Sequence, residues 1–432
     1  MKKTIWSEYL VKDFPTLTKN TKTSVLVVGG GICGILCAYF LVKEGLDVIL
    51  LESDKICNKK TLKTTAVITA LEDVMYADLL NDFGREKTKL FLEAKLFALN
   101  EYRKLSKKFD FDFEECSSFK YDTSGKEILK KEYDVLLGLG YQSFLSDKIN
   151  FPIKVSSALE FKNQGQMNPI KLVNELAKYL TIYENSRVVK IKGNIAYTSD
   201  YFIEFENVVV CTGFPFLKLK GLFPLKMHQE KSHVVAIKEN KNIKGNGIGI
   251  SDNDIYYRNY KDYLLVGAND MQTGCDYPGF ENINKFLVDN FNIKNISYRW
   301  INEDTVTLDG VPYIGRYSSG SQNMYVATGF NLWGMTSSMI SAHLISDLIM
   351  GRKNKYEELF SPSRKAPIKP LLANIKTAVT NLLLFKKRRC THLGCALHYN
   401  SIDDTYECKC HGSKYDSNGN IIESPAQKGA TI

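Results

Sequence analysis

The sequence predicts a mixed α/β (α+β) chain in three parts: a doubly wound nucleotide-binding domain, an antiparallel-sheet domain inserted in it, and a small all-β C-terminal unit. Three observations carry this. The run TSVLVVGGGICGILCAYFLVKEGLDVILLES (23–53) reads as strand, glycine turn, helix and strand. Residues 231–268 and 297–307 read as antiparallel strands of a second sheet. The run CTHLGCALHYNSIDDTYECKCHGSKYD (390–416) holds four of the ten cysteines and three of the six histidines.

The order of elements follows. Strands are expected at 24–28 and 47–52, with a helix over 32–45 between them. Arg85 to Phe109 reads as a long helix, and Lys126 to Leu139 as another. NPIKLVNELAKYL (168–180) is a helix with Pro169 in its first turn. Strands recur over 187–211, ending in VVVCTG, and NMYVATGF (323–330) is a late buried strand. A helix over 332–350 stops at Gly351.

The formal charge is +9, and 361–389 holds eight Lys or Arg and no acid. This basic stretch lacks the stacking aromatics and motifs of nucleic-acid binders, so no nucleic-acid partner is expected. Leu371, Leu372, Ile375, Val379, Leu382 and Leu383 share one helical face. That face is expected to pack on the protein, with a surface-lying membrane helix as the alternative. The start has no apolar signal core, and no stretch reaches membrane-spanning length. Cys33, Cys37, Cys57, Cys116, Cys211 and Cys275 are scattered, the usage of a reducing cytoplasm.

GGGICG spaces Gly29, Gly31 and Gly34 as G-x-G-x-x-G between strand and helix. The first allows a tight turn, the second admits a pyrophosphate, and the third lets helix and strand approach. Glu52 ends the next strand 23 residues later, placed to accept from a ribose hydroxyl. This is a Rossmann-like dinucleotide site.

The late return of the chain to this domain resembles the FAD-dependent D-amino-acid oxidase (DAO) family, over roughly residues 20–352. KTTAVITA (63–70) matches that family's second flavin turn, which implies Thr64, Thr65 and Ala66 as contacts. ENSRVVKI implies Val188 beside the adenine, and VVVCTGFPF implies Thr212 and Gly213. TLDGVPYIG and VATGFNLWGMT imply Gly329, Phe330, Gly334, Met335 and Thr336 at the isoalloxazine end. The resemblance divides the chain into FAD-binding parts (about 20–75, 165–215 and 305–352) and substrate-domain parts (about 85–165 and 215–305). Thr64 and Thr65 have ordinary cap residues as the lesser alternative, and Trp333 reads equally as packing or as a cofactor contact. Tyr256, Tyr257 and Arg258 are substrate-pocket candidates, with a plain sheet face as the alternative; His228 and His233 are weaker ones. No catalytic base is assigned.

The C-terminal cluster reads C-x-H-x-x-C, twelve residues, then C-x-C-H-G-S. Zinc takes four such ligands in a closed tetrahedral site; a 2Fe–2S centre takes two Cys on one iron and two His on the other. Zinc ligands usually come as C-x-x-C or H-x-x-x-H pairs, whereas each box here offers one Cys and one His, plus one extra Cys. The boxes resemble those of Rieske proteins. That resemblance implies Cys390, His392, Cys408 and His411 as cluster ligands and Cys395–Cys410 as a disulfide. It also implies Ser413 and Tyr415 as donors to the cluster sulfurs, and Pro425 as the residue covering the cluster. Lys409 stands where the family usually has proline. Only the linker (353–386) precedes the first box, so the domain (387–432) reads as truncated and supported by the flavin domain. His398 is expected to face solvent.

A flavin oxidoreductase fused to a Rieske domain resembles bacterial relatives of the DAO class. It implies a dehydrogenase that takes hydride from an amine or amino acid onto FAD and passes electrons singly through the cluster to an external carrier. The alternatives are a reductase running in the opposite direction, or an electron-transfer or redox-sensing module whose flavin pocket is sealed. The basic linker fits an acidic carrier protein.

Overall fold

A computed structural model describes residues 4–9, 12–72, 75–125, 127–217, 220–239, 243–251, 255–275, 279–293, 295–384 and 388–432, and arranges them around three sheets. In the nucleotide sheet, strand Thr21–Val28 runs parallel to Val48–Leu51, with helix Ile32–Lys43 as the crossover. On its other side lies Phe202–Gly213, also parallel, with Val28 opposite Val210. Thr181–Tyr183 extends one flank; Met324–Thr328 and the antiparallel Tyr313–Arg316 extend the other. All four residues of Val48–Leu51 are buried, as expected of a strand covered on both faces. Ten of the twelve residues of helix Ile32–Lys43 are buried, and the helix packs against Gly334–Ile349.

The second sheet runs in the order Tyr298–Thr307, Met227–Lys238, Tyr263–Gln272, Tyr256–Tyr260, Asn246–Gly249, Glu114–Asp122, Ser157–Gln166, Val67–Ile68. It is antiparallel except where Asn246–Gly249 meets Glu114–Asp122. Helix Tyr76–Ser106 covers it and breaks at Gly84, whose φ is 78°. The sequence reading begins at Arg85 because the regular apolar pattern begins after that break. A buried ion pair ties this helix to Gly334–Ile349: Lys95 Nζ lies 2.8 Å from Glu72 and 3.2 Å from the Ser337 hydroxyl.

The C-terminal unit is a four-stranded meander, Leu397–Asn400, Thr405–Cys408, Lys414–Tyr415 and Ile421–Glu423. Its small core holds Cys390, Cys395, Leu397, Cys408, Cys410, Tyr415 and Ala426. Its support comes from the second sheet. Lys231–Glu407 (2.7 Å) and Lys414–Glu303 (3.3 Å) cross the junction almost fully buried, and Lys63–Glu423 (2.9 Å) joins it to the segment just before Val67–Ile68. Close backbone approach completes the fit: a Cβ on Gly274 would lie 2.9 Å from Lys409 Cα, and one on Gly412 2.5 Å from Gln229 Cβ.

Two expectations need correction. Helix Ile368–Leu383 forms, but its apolar face points to solvent, with Ile368 73% exposed and Leu383 60% exposed. Its asparagines pack inward instead. His398 is half-buried rather than solvent-facing, and its Nε2 lies 2.8 Å from Asn381 Oδ1 of that helix.

Candidate active site and cluster site

A long cavity opens at the C-terminal edge of the nucleotide sheet. Gly29, Gly31, Glu52, Thr64, Val188, Thr212, Gly213, Phe330, Gly334 and Met335 all line it. The glycine turn leaves its floor bare. Gly29 has φ +111°, and a Cβ there would lie 2.6 Å from the Cys211 carbonyl oxygen. Gly31 caps the helix without a side chain, so the helix N-terminus faces the cavity. Glu52 accepts from the Gly30 N–H at 2.6 Å and the Asp54 N–H at 3.0 Å, which braces the turn around a carboxylate on the cavity wall. A bare cradle, a helix N-terminus and a carboxylate past the second strand fit a dinucleotide.

Five of the implied contacts lie outside this cavity, and one of them, Thr65, lines the neighbouring cavity described below. Gly34 serves helix–strand packing, since a Cβ there would collide with the Gly29 carbonyl. Ala66 is buried at φ +56°, and its carbonyl accepts from Arg258 at 3.1 Å. Gly329 sits at φ +68° against Thr307. The Thr336 hydroxyl donates to Glu72 at 2.6 Å.

A second cavity adjoins the first. Thr64, Gly334, Met335, Leu332, Asn302 and Asp304 belong to both, and Thr65, Trp333, Tyr256 and Tyr257 extend the second. Two carboxylates, Asp304 and Asp270, and one cation, Lys63, line it, and Lys63 is paired with Glu423 at 2.9 Å. Burial raises the Asp304 pKa, an effect that nearby Lys60 opposes. Arg258 is an anchor rather than a pocket residue. It is buried and donates to the carbonyls of Thr65, Ala66, Met167 and Asn259, pinning the turn at 64–66 to the second sheet. His228 pairs with Glu230 at 2.8 Å, and buried His233 packs edge-on to Phe280 at 4.8 Å; neither lines these two cavities. Desolvation lowers His233 to about 4.

The scattered cysteines are partly gathered by folding. Cys33, Cys37 and Cys211 place their thiols within 4.8 Å of one another behind the glycine turn, and Cys33 and Cys211 touch the first cavity.

At the C-terminal unit, Cys390, His392, Cys408 and His411 are all at most 3% exposed. The two imidazoles stand 4.9 Å apart and nearly perpendicular. His411 Nε2 lies 3.1 Å from the Pro224 carbonyl, and its buried Nδ1 has no hydrogen-bond partner among the described residues. That nitrogen is available to a metal. Tyr415 Oη lies 3.3 Å from Cys390 Sγ and accepts from the Thr391 N–H at 3.1 Å. The Ser413 hydroxyl accepts from the Ala426 N–H at 3.1 Å, which leaves its own proton free to donate. Cys395 and Cys410 are unbonded thiols here, grouped with Cys408 within 4.8 Å. Two thiols and two imidazoles, buried together with hydroxyl donors beside them, fit a Cys2His2 2Fe–2S centre.

The two sites share a wall. Phe214 is fully buried, lines the first cavity, and stands 6.1 Å from the His392 ring and 5.9 Å from the His411 ring. Ser424, Pro425, Ala426 and Gln427, in the loop implied to cover the cluster, also line that cavity. Sequence reasoning missed Phe214, Lys60, Asn302 and Asp304; only Phe214 had a local signal, directly after the turn at Gly213.

Comparison with known proteins agrees with this geometry. The family described as FAD dependent oxidoreductase matches residues 24–348, and the Rieske [2Fe-2S] domain matches 378–431. YhfW of Bacillus subtilis (strain 168), named for a Rieske 2Fe-2S iron-sulfur protein, is 29% identical over 478 residues, covering 96% of this chain and 94% of its own. The cytochrome b6-f complex iron-sulfur subunit 1 of a Nostoc species is 42% identical over 43 residues, 10% of this chain and 24% of the subunit. Among solved structures, glycine oxidase from Geobacillus kaustophilus superposes with a TM-score of 0.70 at 18% identity, covering 80% of this chain and all of that one. L-proline dehydrogenase from P. horikoshii gives 0.67 at 18% identity, covering 81% of this chain and 98% of that one. These two establish the fold. The chain belongs to the DAO family of FAD dependent oxidoreductases and carries a C-terminal Rieske [2Fe-2S] domain.

Proposed function

We propose that the protein is a dehydrogenase that oxidises a small amine or amino-acid-like substrate and delivers the electrons, one at a time, to an external acceptor. FAD supplies two-electron acceptance from a C–H bond next to nitrogen, and the 2Fe–2S cluster supplies single-electron transfer at comparatively high potential. The observation that carries the reading is the shared wall: Phe214 and the 424–427 loop border the flavin cavity and the cluster ligands at once.

The chain's own residues do positional work. Gly29, Gly31 and the helix N-terminus would hold the pyrophosphate of FAD, and Glu52 would accept from its ribose. Thr64, Met335 and Leu332 line both cavities and would position a substrate carbon beside the bound flavin. Asp304 and Asp270 favour a substrate that brings an amine, and the lining cation Lys63 is already engaged by Glu423 at 2.9 Å. The second cavity is also what a sealed electron-transfer module would lack.

The test is an anaerobic amine and amino-acid panel followed by absorption and EPR. Substrate-dependent flavin bleaching, followed by a reduced-cluster signal, supports the reading. Bleaching only by a reduced carrier protein, with no amine active, would establish the reverse direction instead. The four cluster ligands, the Cys395–Cys410 disulfide and a reducing cytoplasmic setting belong to the same proposal.

A further inference from the structure

Helix Ile368–Leu383 is turned inside out relative to an ordinary surface helix. Its polar side meets the protein: Asn374 Nδ2 donates to the Leu225 carbonyl at 3.0 Å, and Asn381, its one buried residue, bonds His398. On the far side, Ile368, Leu372, Val379, Leu382 and Leu383 are 73, 59, 48, 44 and 60% exposed. At 3.6 residues per turn these five fall within an arc of about 100°. Exposed Lys369 and Lys376 border that arc. In the sequence Lys365 precedes the helix and KKRR (386–389) follows it, with no acid anywhere in 361–389.

A continuous apolar stripe in water marks an interaction surface. The charge around it selects the occupant. A second copy of this chain would oppose the same basic cluster to itself, on a molecule already at +9. Anionic lipid offers both an apolar layer for the five side chains and headgroups for the lysines to reach. Sixteen residues span about 24 Å, and no helix among the described residues is long and apolar enough to cross a membrane, so the helix lies in the interface plane.

We infer that helix Ile368–Leu383 seats the protein on an anionic membrane surface, apolar arc inward. The first cluster box rides on this helix, since a Cβ on Gly394 would lie 3.9 Å from Leu382 Cδ2. Membrane docking therefore brings the cluster-binding loop close to the headgroups. The inference stands on the helix alone and does not depend on the redox reading.

The test is co-sedimentation of the full-length holoprotein with vesicles of phosphatidylglycerol and phosphatidylcholine in equal parts, against pure phosphatidylcholine. Leu372→Ser with Leu383→Ser, and Lys369→Glu with Lys376→Glu, change only exposed side chains, and unchanged visible spectra control for folding. The wild type should bind the anionic vesicles. The serine pair should abolish binding, and the two charge reversals should weaken it by more than about 25-fold, since loss of each lysine alone is worth roughly fivefold. Absence of binding by the wild type, or equal binding by all three proteins, overturns the inference. So does light scattering that shows a wild-type dimer dissociated by the serine pair without any vesicle binding.

Discussion

The Phe214 ring stands edge-on to the His411 imidazole, centroids 5.9 Å apart at 71°, while the same phenyl ring lines the flavin cavity. One side chain thus touches both redox sites. Phe214→Leu keeps an apolar filler and should cost about 1 kcal/mol of stability. Flavin bleaching by substrate should persist, whereas the cluster signal should appear more slowly in rapid-freeze EPR. Unchanged timing of that signal would show that Phe214 is not part of the connection.

Removal of His411 separates the two centres. His411→Ala should lose the cluster and its EPR signal, with iron content falling toward zero, and keep the flavin spectrum. Full iron retention would remove His411 from the ligand set, and stoichiometric zinc in the wild type would replace the iron-sulfur assignment for this chain.

The glycine cradle makes a sharper demand. Gly29→Ala places a methyl group 2.6 Å from the Cys211 carbonyl in a backbone conformation, φ +111°, that alanine resists. The variant should purify with little flavin, read as the ratio of 450 to 280 nm absorption. Wild-type flavin content would contradict the assigned cradle.

Glu423 and Lys63 link docking to pH. Burial pushes Glu423 up, but Lys63, Lys59 and Lys60 outweigh it and hold the carboxyl down to about 2. A carboxylate depressed from about 4.3 stabilises the fold above that value and loses the contribution as pH falls toward its folded value. Glu303, raised by burial, acts in the opposite sense. Glu423→Gln should cost about 3 kcal/mol at neutral pH. In urea titrations the gap between wild type and variant should shrink below about pH 4. A gap that stays constant down to pH 3 would rule out this pair as the acid-sensitive one.

The Lys95–Glu72 pair is buried at 2.8 Å, and desolvation lowers Lys95 and raises Glu72. Lys95→Met alone should cost about 3–5 kcal/mol because it leaves a buried carboxylate without its cation. Lys95→Met with Glu72→Leu should recover most of that loss in chemical denaturation. Additive losses would contradict the pairing.

What the sequence made legible was local. GGGICG with Glu52 and the two Cys–His boxes sit in short windows whose spacing alone carries chemistry; Gly29, Gly31 and Glu52 line one cavity, and Cys390, His392, Cys408 and His411 are buried. Asn302 and Asp304 were not legible: they sit on a strand some 240 residues from Thr64, and only the sheet order brings them to the cavity. Arg258 had the right chemistry for a substrate clamp, yet folding aims it at four backbone carbonyls. The apolar periodicity of 368–383 correctly signals a helix, but periodicity does not say which face meets the protein; Asn374 and Asn381 decide that through contacts with distant residues.

The central claim is that one chain couples a flavin to a Rieske cluster. Anaerobically purified protein, examined by visible absorption and by low-temperature EPR before and after dithionite, tests it most directly. The account predicts a flavin spectrum together with a Rieske-type signal that appears on reduction, with two irons per chain. A flavin spectrum with no such signal, and zinc in place of iron, would contradict it and leave the C-terminal unit a structural metal site on a plain flavoprotein.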